Sequence, residues 1–397
     1  CKTNKGKIYS NFKFMRIGVI GAGRLGLSFA LVCDKNGIPV TISDKNEQYI
    51  KNLKNGFCTT NEPFILDLLS KKRFLEFADT NEEVIKSCDY IWTFVETPSN
   101  SDGTYDVTKL WDVVSDFKKA FENEISVFGK TFIVGCTTNP GDVAKIQELL
   151  SQYSMNVVYN PEFVAQGEIV NNLQESKMVL LGALEGQDLK IIINLYRAVC
   201  DSAVNFNIMS YTAAELTKIS INCFLTTKIS FANMIGEIAI KTGLREEVGN
   251  ILKAVGSDPR INNKFLKYGF GFGGPCLPRD NKALSVHAKK YNANAKLSDL
   301  VHEMNYDHTE FLVNYFSEMN PDKSVPFVMK HISYKRGTDI LTDSQQYNLC
   351  LSLLDKGYTV FVQEIDSVIN QFKTKDMGDR LKFFRYGTNP KGYLIDL

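Results

Sequence analysis

The chain has 397 residues, more than one hydrophobic core usually organises, so two or three domains are expected. Its 46 Lys and Arg balance 45 Asp and Glu, which leaves no overall field to draw the chain to nucleic acid or to an anionic membrane. The nine cysteines (1, 33, 58, 88, 136, 200, 223, 276 and 350) form no CxxC pair, the four histidines have no ligand spacing, and no uninterrupted apolar run approaches the ~20 residues of a membrane span; a reduced, cytoplasmic enzyme without a metal is the expectation.

Residues 1–14 are polar and basic and lack the apolar centre of a signal peptide, while Met15 stands directly before the first strand pattern. They read as an extension that the fold does not need and that need not be native. Strand and helix patterns then alternate: a strand at 16–20 and a helix from about Leu25, a strand at 40–43 and a helix, then strands at 90–95, 131–136 and 157–159. Short apolar runs separated by helices predict a mostly parallel sheet covered on both faces. From Tyr211 to about Lys241 one long helix is expected, followed by more helix and a glycine-rich segment at 269–274. After Asn320 and Pro321 a strand, helix and strand return at 325–332, 344–356 and 358–363, and residues 376–397 carry no clear pattern. The predicted fold class is therefore α/β: two doubly wound, Rossmann-like domains joined by a long central helix, the C-terminal one short. The expected divisions are a dinucleotide-binding domain at 15–208, a central helical segment at 209–315 and a C-terminal α/β segment at 316–397.

Gly21, Gly23 and Gly26 have GxGxxG spacing between the first strand and its helix. Such glycines allow a tight turn and close backbone approach to a pyrophosphate seated on the helix N-terminus. Asp44 ends the second strand eighteen residues after Gly26, where a carboxylate can accept from the adenosine ribose, so NAD is favoured over NADP. A glycine turn serving another ligand is the alternative. Thr97-Pro98 and Thr137-Thr138-Asn139-Pro140-Gly141 close two further strands; they read equally as ligand-binding strand ends and as ordinary turns.

On the long helix, Glu215, Lys218, Asn222, Thr226 and Asn233 are spaced 3, 4, 4 and 7 apart and share one face among Leu216, Ile221, Phe224, Leu225, Phe231, Met234 and Ile235. That stripe is either the helix's wet side or a functional line, with Lys218 and Asn222 facing a cleft where they stabilise an oxyanion or hold a water. Four glycines and two prolines surround Cys276, near the start of a helix expected from Asn281. With Lys218 and Arg279 available, that position favours a thiolate, although a lone cysteine is more often an inert core residue. Asp280 orients a water or Lys218, or caps the helix. Glu162 is expected to follow the last strand of the first domain, as a general base or as a surface acid.

In order along the chain, GAGRLG, VETPS, TTNPG, NPEFVAQGE, ELTKISIN, DPRINNKFLKYGFGFGGPCLPRD and ISYKRGTDILTDS resemble the UDP-glucose and GDP-mannose dehydrogenase family, from Met15 to about Val362. Arg260-Ile261 and the 263–267 segment are most similar to its UDP-glucose 6-dehydrogenase branch. The resemblance implies oxidation of a nucleotide-sugar C6 alcohol, UDP-glucose to UDP-glucuronate, by two NAD used in turn through a thiohemiacetal and a thioester on Cys276. It implies that Lys218 and Asn222 stabilise the oxyanion and hold water, that Asp280 assists as a polar base, that Glu162 serves thioester hydrolysis and that Thr138 belongs to the catalytic set. Gly21, Gly23, Leu25, Gly26, Asp44, Thr97, Thr138, Gln166 and Arg279 would line the NAD site. Glu162, Phe163, Lys218, Asn222, Phe265, Leu266, Lys267, Tyr268, Gly269, Gly273 and Lys335 would hold the nucleotide sugar. Arg260 would reach across the interface of a homodimer centred on the long helix. The chain departs from the family at Arg24, where a tyrosine is usual, at Gln166, where a glutamate is usual, and at Thr342, where an arginine is usual; Pro275 replaces a small residue and Met178 an arginine. Two other readings stay open: a two-electron β-hydroxyacid-type dehydrogenase, and a non-catalytic protein that binds a nucleotide sugar.

Overall fold

A computed structural model describes residues 16–201, 203–372, 378–385, 388 and 390–397. The expected extension at 1–14 lies outside the described residues. The chain divides into two compact units, one up to Lys218 and one from Ile219.

The first unit is built on eight strands: β1 (Ile17–Ile20), β2 (Val40–Ser43), β3 (Leu75–Phe77), β4 (Tyr90–Thr93), β5 (Thr131–Val134), β6 (Asn156–Tyr159), β7 (Met178–Gly182) and β8 (Asn205–Met209). Their order is β3-β2-β1-β4-β5-β6-β7-β8, parallel throughout except where β6 meets β7. Between them run α1 (Arg24–Lys35), α2 (Glu47–Lys54), α3 (Ile65–Ser70), α4 (Asn81–Ser87), α5 (Thr108–Glu122), α6 (Asp142–Ser151), α7 (Ile169–Gln174) and α8 (Lys190–Val199). Alternate strand residues feed opposite cores. Ile17, Val19, Trp92, Ile133 and Val158 pack with α1 and α8, whereas Ile20, Ile91, Phe132, Val134 and Val157 pack with α4, α5 and α6. Both faces are therefore covered, which is why the strands read as unbroken apolar runs.

Glu162 does not follow the last strand of this unit: β7 and β8 come after it. The edge strand β8 is largely exposed and its Asn205-Phe206-Asn207-Ile208-Met209 run carries little apolar signal. β6 and β7 share a single antiparallel pair, Tyr159 opposite Gly182. Side chains serve that seam instead of a ladder: Val157 O accepts from Tyr211 Oη at 2.9 Å and from Gln187 Nε2 at 3.0 Å, and Asn160 Nδ2 donates to Leu180 O at 3.3 Å.

Helix α9 (Tyr211–Lys241) begins in the first unit and continues into the second. Among the described residues it is the helix long and apolar enough to cross a membrane by length and composition. Its polar line is the buried one. Glu215, Lys218, Thr226 and Asn233 are buried, while Leu216, Phe224, Phe231 and Ile238 lie exposed on the opposite side. The stripe is thus not the wet side of the helix.

The second unit continues with α10 (Val248–Ser257), α11 (Leu277–Lys290) and α12 (Lys296–Met319), then β9 (Phe327–Met329), α13 (Gln345–Asp355), β10 (Val360–Gln363), α14 (Asp366–Ile369), β11 (Leu381–Phe384) and β12 (Tyr393–Ile395). The four strands form a parallel sheet in the order β11-β10-β9-β12, packed against Leu312 and Phe316 of α12 and Leu349 and Leu353 of α13. The segment 376–397, which carries no clear pattern in the sequence, supplies both outer strands. Each is only three or four residues long, too short for a period to show.

Candidate active site

Strand order sets the first half of the site. The carboxyl ends of β2, β1, β4, β5 and β6 are neighbours in that order, and the residues just beyond them include Asp44, Gly21, Thr97, Thr138 and Glu162. The chain reverses direction across the sheet between β1 and β4, the place where open α/β sheets collect ligands. Gly21 has φ 99°, and its N donates to Ser43 O at 2.9 Å. At Gly26 a Cβ would lie 1.9 Å from Gly21 O, so this turn closes only without a side chain there. Gly23, immediately before α1, has open space instead, with nothing within 4 Å of a Cβ. Asp44 holds the turn: Oδ2 accepts from Ala22 N at 2.8 Å and Oδ1 from Asn46 N at 2.9 Å. A closed turn, an open helix N-terminus and a fixed carboxylate fit a dinucleotide. Leu25 is half-buried in the first turn of α1. Arg24 and Gln166, two of the departures, meet: Arg24 Nη1 donates to Gln166 Oε1 at 2.8 Å.

A second group gathers on the first turns of α9. Glu215 is fully buried; Oε1 accepts from Thr138 Oγ1 at 2.8 Å and Val143 N at 3.0 Å, and Oε2 from Gly141 N at 2.6 Å. It thereby caps α6 from outside and fixes the Thr138 hydroxyl. Burial raises its carboxyl to about 7 against those three donors. Lys218 Nζ donates to Glu162 O at 2.8 Å and lies 4.4 Å from the centre of the Phe163 ring, a cation–π contact. Glu162 is half-buried. Burial pushes its carboxyl up to about 7, opposed by the Tyr196 hydroxyl and by Lys218.

In the second unit Cys276 is exposed and stands immediately before α11, a turn earlier than the expected helix start at Asn281. Residues of α9 hold the first turns of α11. Asn222 Nδ2 donates to Asp280 Oδ2 at 2.6 Å, Cys223 Sγ to Asp280 O at 3.4 Å, and Asn281 Nδ2 to Thr226 Oγ1 at 2.8 Å. Asp280 is fully buried, accepts from Arg279 Nε at 3.5 Å, and returns its own N–H to Cys276 O at 2.9 Å. Asn222 is therefore tied through Asp280 to the turn that presents the thiol.

The glycine loop before Cys276 is gripped by side chains. Asn233 Oδ1 accepts from Gly269 N at 3.1 Å and His308 Nε2 lies 2.9 Å from Gly269 O. Asn305 pairs with Phe272 N and O, each at 2.9 Å, and Gln345 Oε1 accepts from Gly271 N. Tyr268 lies against Gly236, Leu266 is buried, and at Gly273 a Cβ would meet Asp343 O at 2.3 Å. Phe265 adopts φ 61° and is half exposed; Lys267 is exposed and Lys335 half-buried. Arg260 is exposed and paired with Asp258 at 2.6 Å. The α9 stripe thus bonds within each unit, Glu215 and Lys218 to strand-end loops of the first and Asn222, Thr226 and Asn233 to the 269–281 segment of the second. Asn305, His308, Gln345 and Tyr196 carry no spacing signal that singles them out.

A family model described as the UDP-glucose/GDP-mannose dehydrogenase family, NAD binding domain, matches residues 15–200, and the family's central domain matches residues 212–307. The chain is 28% identical over 379 residues to the UDP-glucose 6-dehydrogenase TuaD of Bacillus subtilis, covering 93% of this chain and 79% of that protein. It is 27% identical over 368 residues to a UDP-glucose 6-dehydrogenase of Rickettsia bellii, covering 91% and 83%. In fold it is similar to a UDP-glucose dehydrogenase from the archaeon Pyrobaculum islandicum, with a TM-score of 0.83 at 23% identity, over 94% of this chain and 86% of that one.

Proposed function

Because the chain belongs to the UDP-glucose/GDP-mannose dehydrogenase family, whose members oxidise nucleotide sugars with NAD, we propose that it carries a nucleotide-sugar C6 alcohol, that of UDP-glucose first, to the carboxylate with Cys276 as covalent carrier. The observation that carries this reading is the buried Asp280, which joins Asn222 to the turn presenting the exposed thiol. NAD bound at the 21–26 turn and Asp44 supplies the hydride acceptor for each of two oxidations. The first converts the alcohol to an aldehyde. The Cys276 thiolate then adds to the aldehyde carbon as a thiohemiacetal, the second oxidation leaves a thioester, and water releases the acid and returns the thiol. An adduct serves because a tetrahedral carbon bearing hydrogen and oxygen can lose the second hydride, and the sulfur adduct yields a thioester that water can cleave.

Lys218 and Asn222 steady the oxyanion, Asp280 orients Asn222, Glu162 serves hydrolysis, and Thr138, held by Glu215, joins them. Thr97, Leu25, Gln166 and Arg279 complete the cofactor contacts, and Phe163, residues 265–269, Gly273 and Lys335 hold the nucleotide sugar. The 15–208, 209–315 and 316–397 divisions describe these three tasks. We read the exposed Leu216, Phe224, Phe231 and Ile238 as the face of a homodimer, with Arg260 serving the site of a second copy.

Stoichiometry tests this directly. With UDP-glucose, UDP-galactose, UDP-N-acetylglucosamine and GDP-mannose offered in turn, the true substrate yields two NADH per molecule, and Cys276→Ser stalls before free acid appears. One NADH per substrate with an unaffected Cys276→Ser would overturn the thioester route.

A further inference from the structure

Glu162 and its neighbours in the first unit contain more oxygen atoms in close contact than ordinary protonation can satisfy. Tyr196 Oη lies 2.7 Å from Asn160 Oδ1 and 2.5 Å from Glu162 Oε1. Two oxygens at such separations need a proton between them, and a tyrosine hydroxyl has only one to give.

The direction of the Asn160 amide decides where that proton goes. Trp92 Nε1, which can only donate, lies 3.0 Å from Asn160 Oδ1, and Leu180 O, which can only accept, lies 3.3 Å from Asn160 Nδ2. The atom facing Tyr196 is therefore an amide oxygen, pinned from both sides. Trp92, Asn160 and Tyr196 are all buried, so no bulk water relieves the contact between Tyr196 and Asn160. Tyr196 must spend its proton on Asn160. The contact with Glu162 then closes only if Glu162 brings its own.

We propose that the Trp92, Asn160 and Tyr196 chain keeps Glu162 as a carboxylic acid in the resting protein, which makes Asn160 and Tyr196 positioning residues for its proton. The other titratable groups facing Glu162 are Cys33 of α1 and Cys200 after α8, both thiols that burial keeps protonated, and Lys218 of α9. The Lys218 charge favours the carboxylate and works against the acid, and so would the Tyr196 hydroxyl if its proton turned from Asn160 to Glu162. Burial works with the acid, consistent with the rise to about 7. As an acid Glu162 can donate to an oxyanion but cannot take a proton from water; it becomes a base only after ionising, and ionisation obliges Tyr196 to leave Asn160 and turn to the carboxylate.

This deepens the role given to Glu162 above and rests on that reading for its catalytic meaning; the location of the proton does not. Infrared difference spectra of the substrate-free protein, with Glu162→Gln as the blank, report the acid directly. A protonated carboxyl signal from Glu162 is expected below pH about 7. In Asn160→Leu, Tyr196 has no competing acceptor, so the midpoint should fall by about one pH unit, a roughly tenfold change in the acid-to-carboxylate ratio. Absence of the signal in the wild type, which needs no variant to fold, overturns the proposal, as does an unchanged midpoint in folded Asn160→Leu. Single-turnover release of the acid product, followed against pH, should rise with the same midpoint. If the spectrum titrates while that rate does not follow it, the proton placement stands and Glu162 loses its part in hydrolysis.

Discussion

Gly23 and Gly26 belong to one motif but answer to different constraints. A methyl at Gly26 would meet the Gly21 carbonyl at 1.9 Å, backbone against backbone, whereas one at Gly23 meets nothing. Gly26→Ala should therefore cost about 1–3 kcal/mol in urea unfolding. Gly23→Ala should keep wild-type stability and weaken NADH binding at least about tenfold, because its methyl projects where a dinucleotide backs onto α1. Equal losses of stability in the two variants would defeat this assignment. The spacing of 21, 23 and 26 was legible without coordinates, as was Asp44, because a turn and a strand end are local. Arg24 and Gln166 stand out in the sequence only as two separate departures; that they bond to each other across 142 positions is a property of the folded sheet. Tyr196 was silent for the same reason. A tyrosine on an amphipathic helix is an ordinary core residue until an amide oxygen is found on one side of it and a carboxyl on the other.

The length of α9 and the common face of its five polar residues follow from a period of 3.6, and both could be read directly. Which face turns inward could not. Amphipathicity normally places polar residues in water, and α9 does the reverse because each polar group has a partner from another motif inside the protein. The apolar residues left outside, Leu216, Phe224, Phe231 and Ile238, recur at seven or eight positions and so form a line along the helix. Phe224 is 66% exposed. Phe224→Glu should consequently fold normally while converting a two-copy particle to one copy by light scattering. A wild-type protein that already runs as a single copy, or a variant that still pairs, would remove this helix from the interface.

Among the described residues, two carboxyls are raised from 4.5 to about 7, Glu162 and Glu215, in both cases chiefly by burial. These two groups therefore hold more protons in the folded chain than in the unfolded chain between those values. Their contribution to stability is complete below about 4.5 and is lost as pH rises through about 7, by up to about 1.4 kcal/mol per pH unit for each proton. His287 and His302, whose values burial lowers, act in the opposite sense. Glu162→Gln isolates one term: between pH about 5 and 8 its urea midpoint should decline less than the wild type's, and parallel declines would refute the shift. The doubly wound class was legible from strands buried on both faces. The strands that escaped were the short β3, β11 and β12, the exposed β8, and also β7, whose Val179-Leu180-Leu181 run is as buried as those that were read. Seen as construction, the larger sheet is a six-strand body, β3 to β6 in its order, with β7 and β8 joined to it as a graft through one residue pair. Tyr196 arrives with the graft, on the helix between its two strands, while Glu162 and Asn160 leave from the last strand of the body. The acidity of Glu162 is thus a property of the joint, open to retuning from α8.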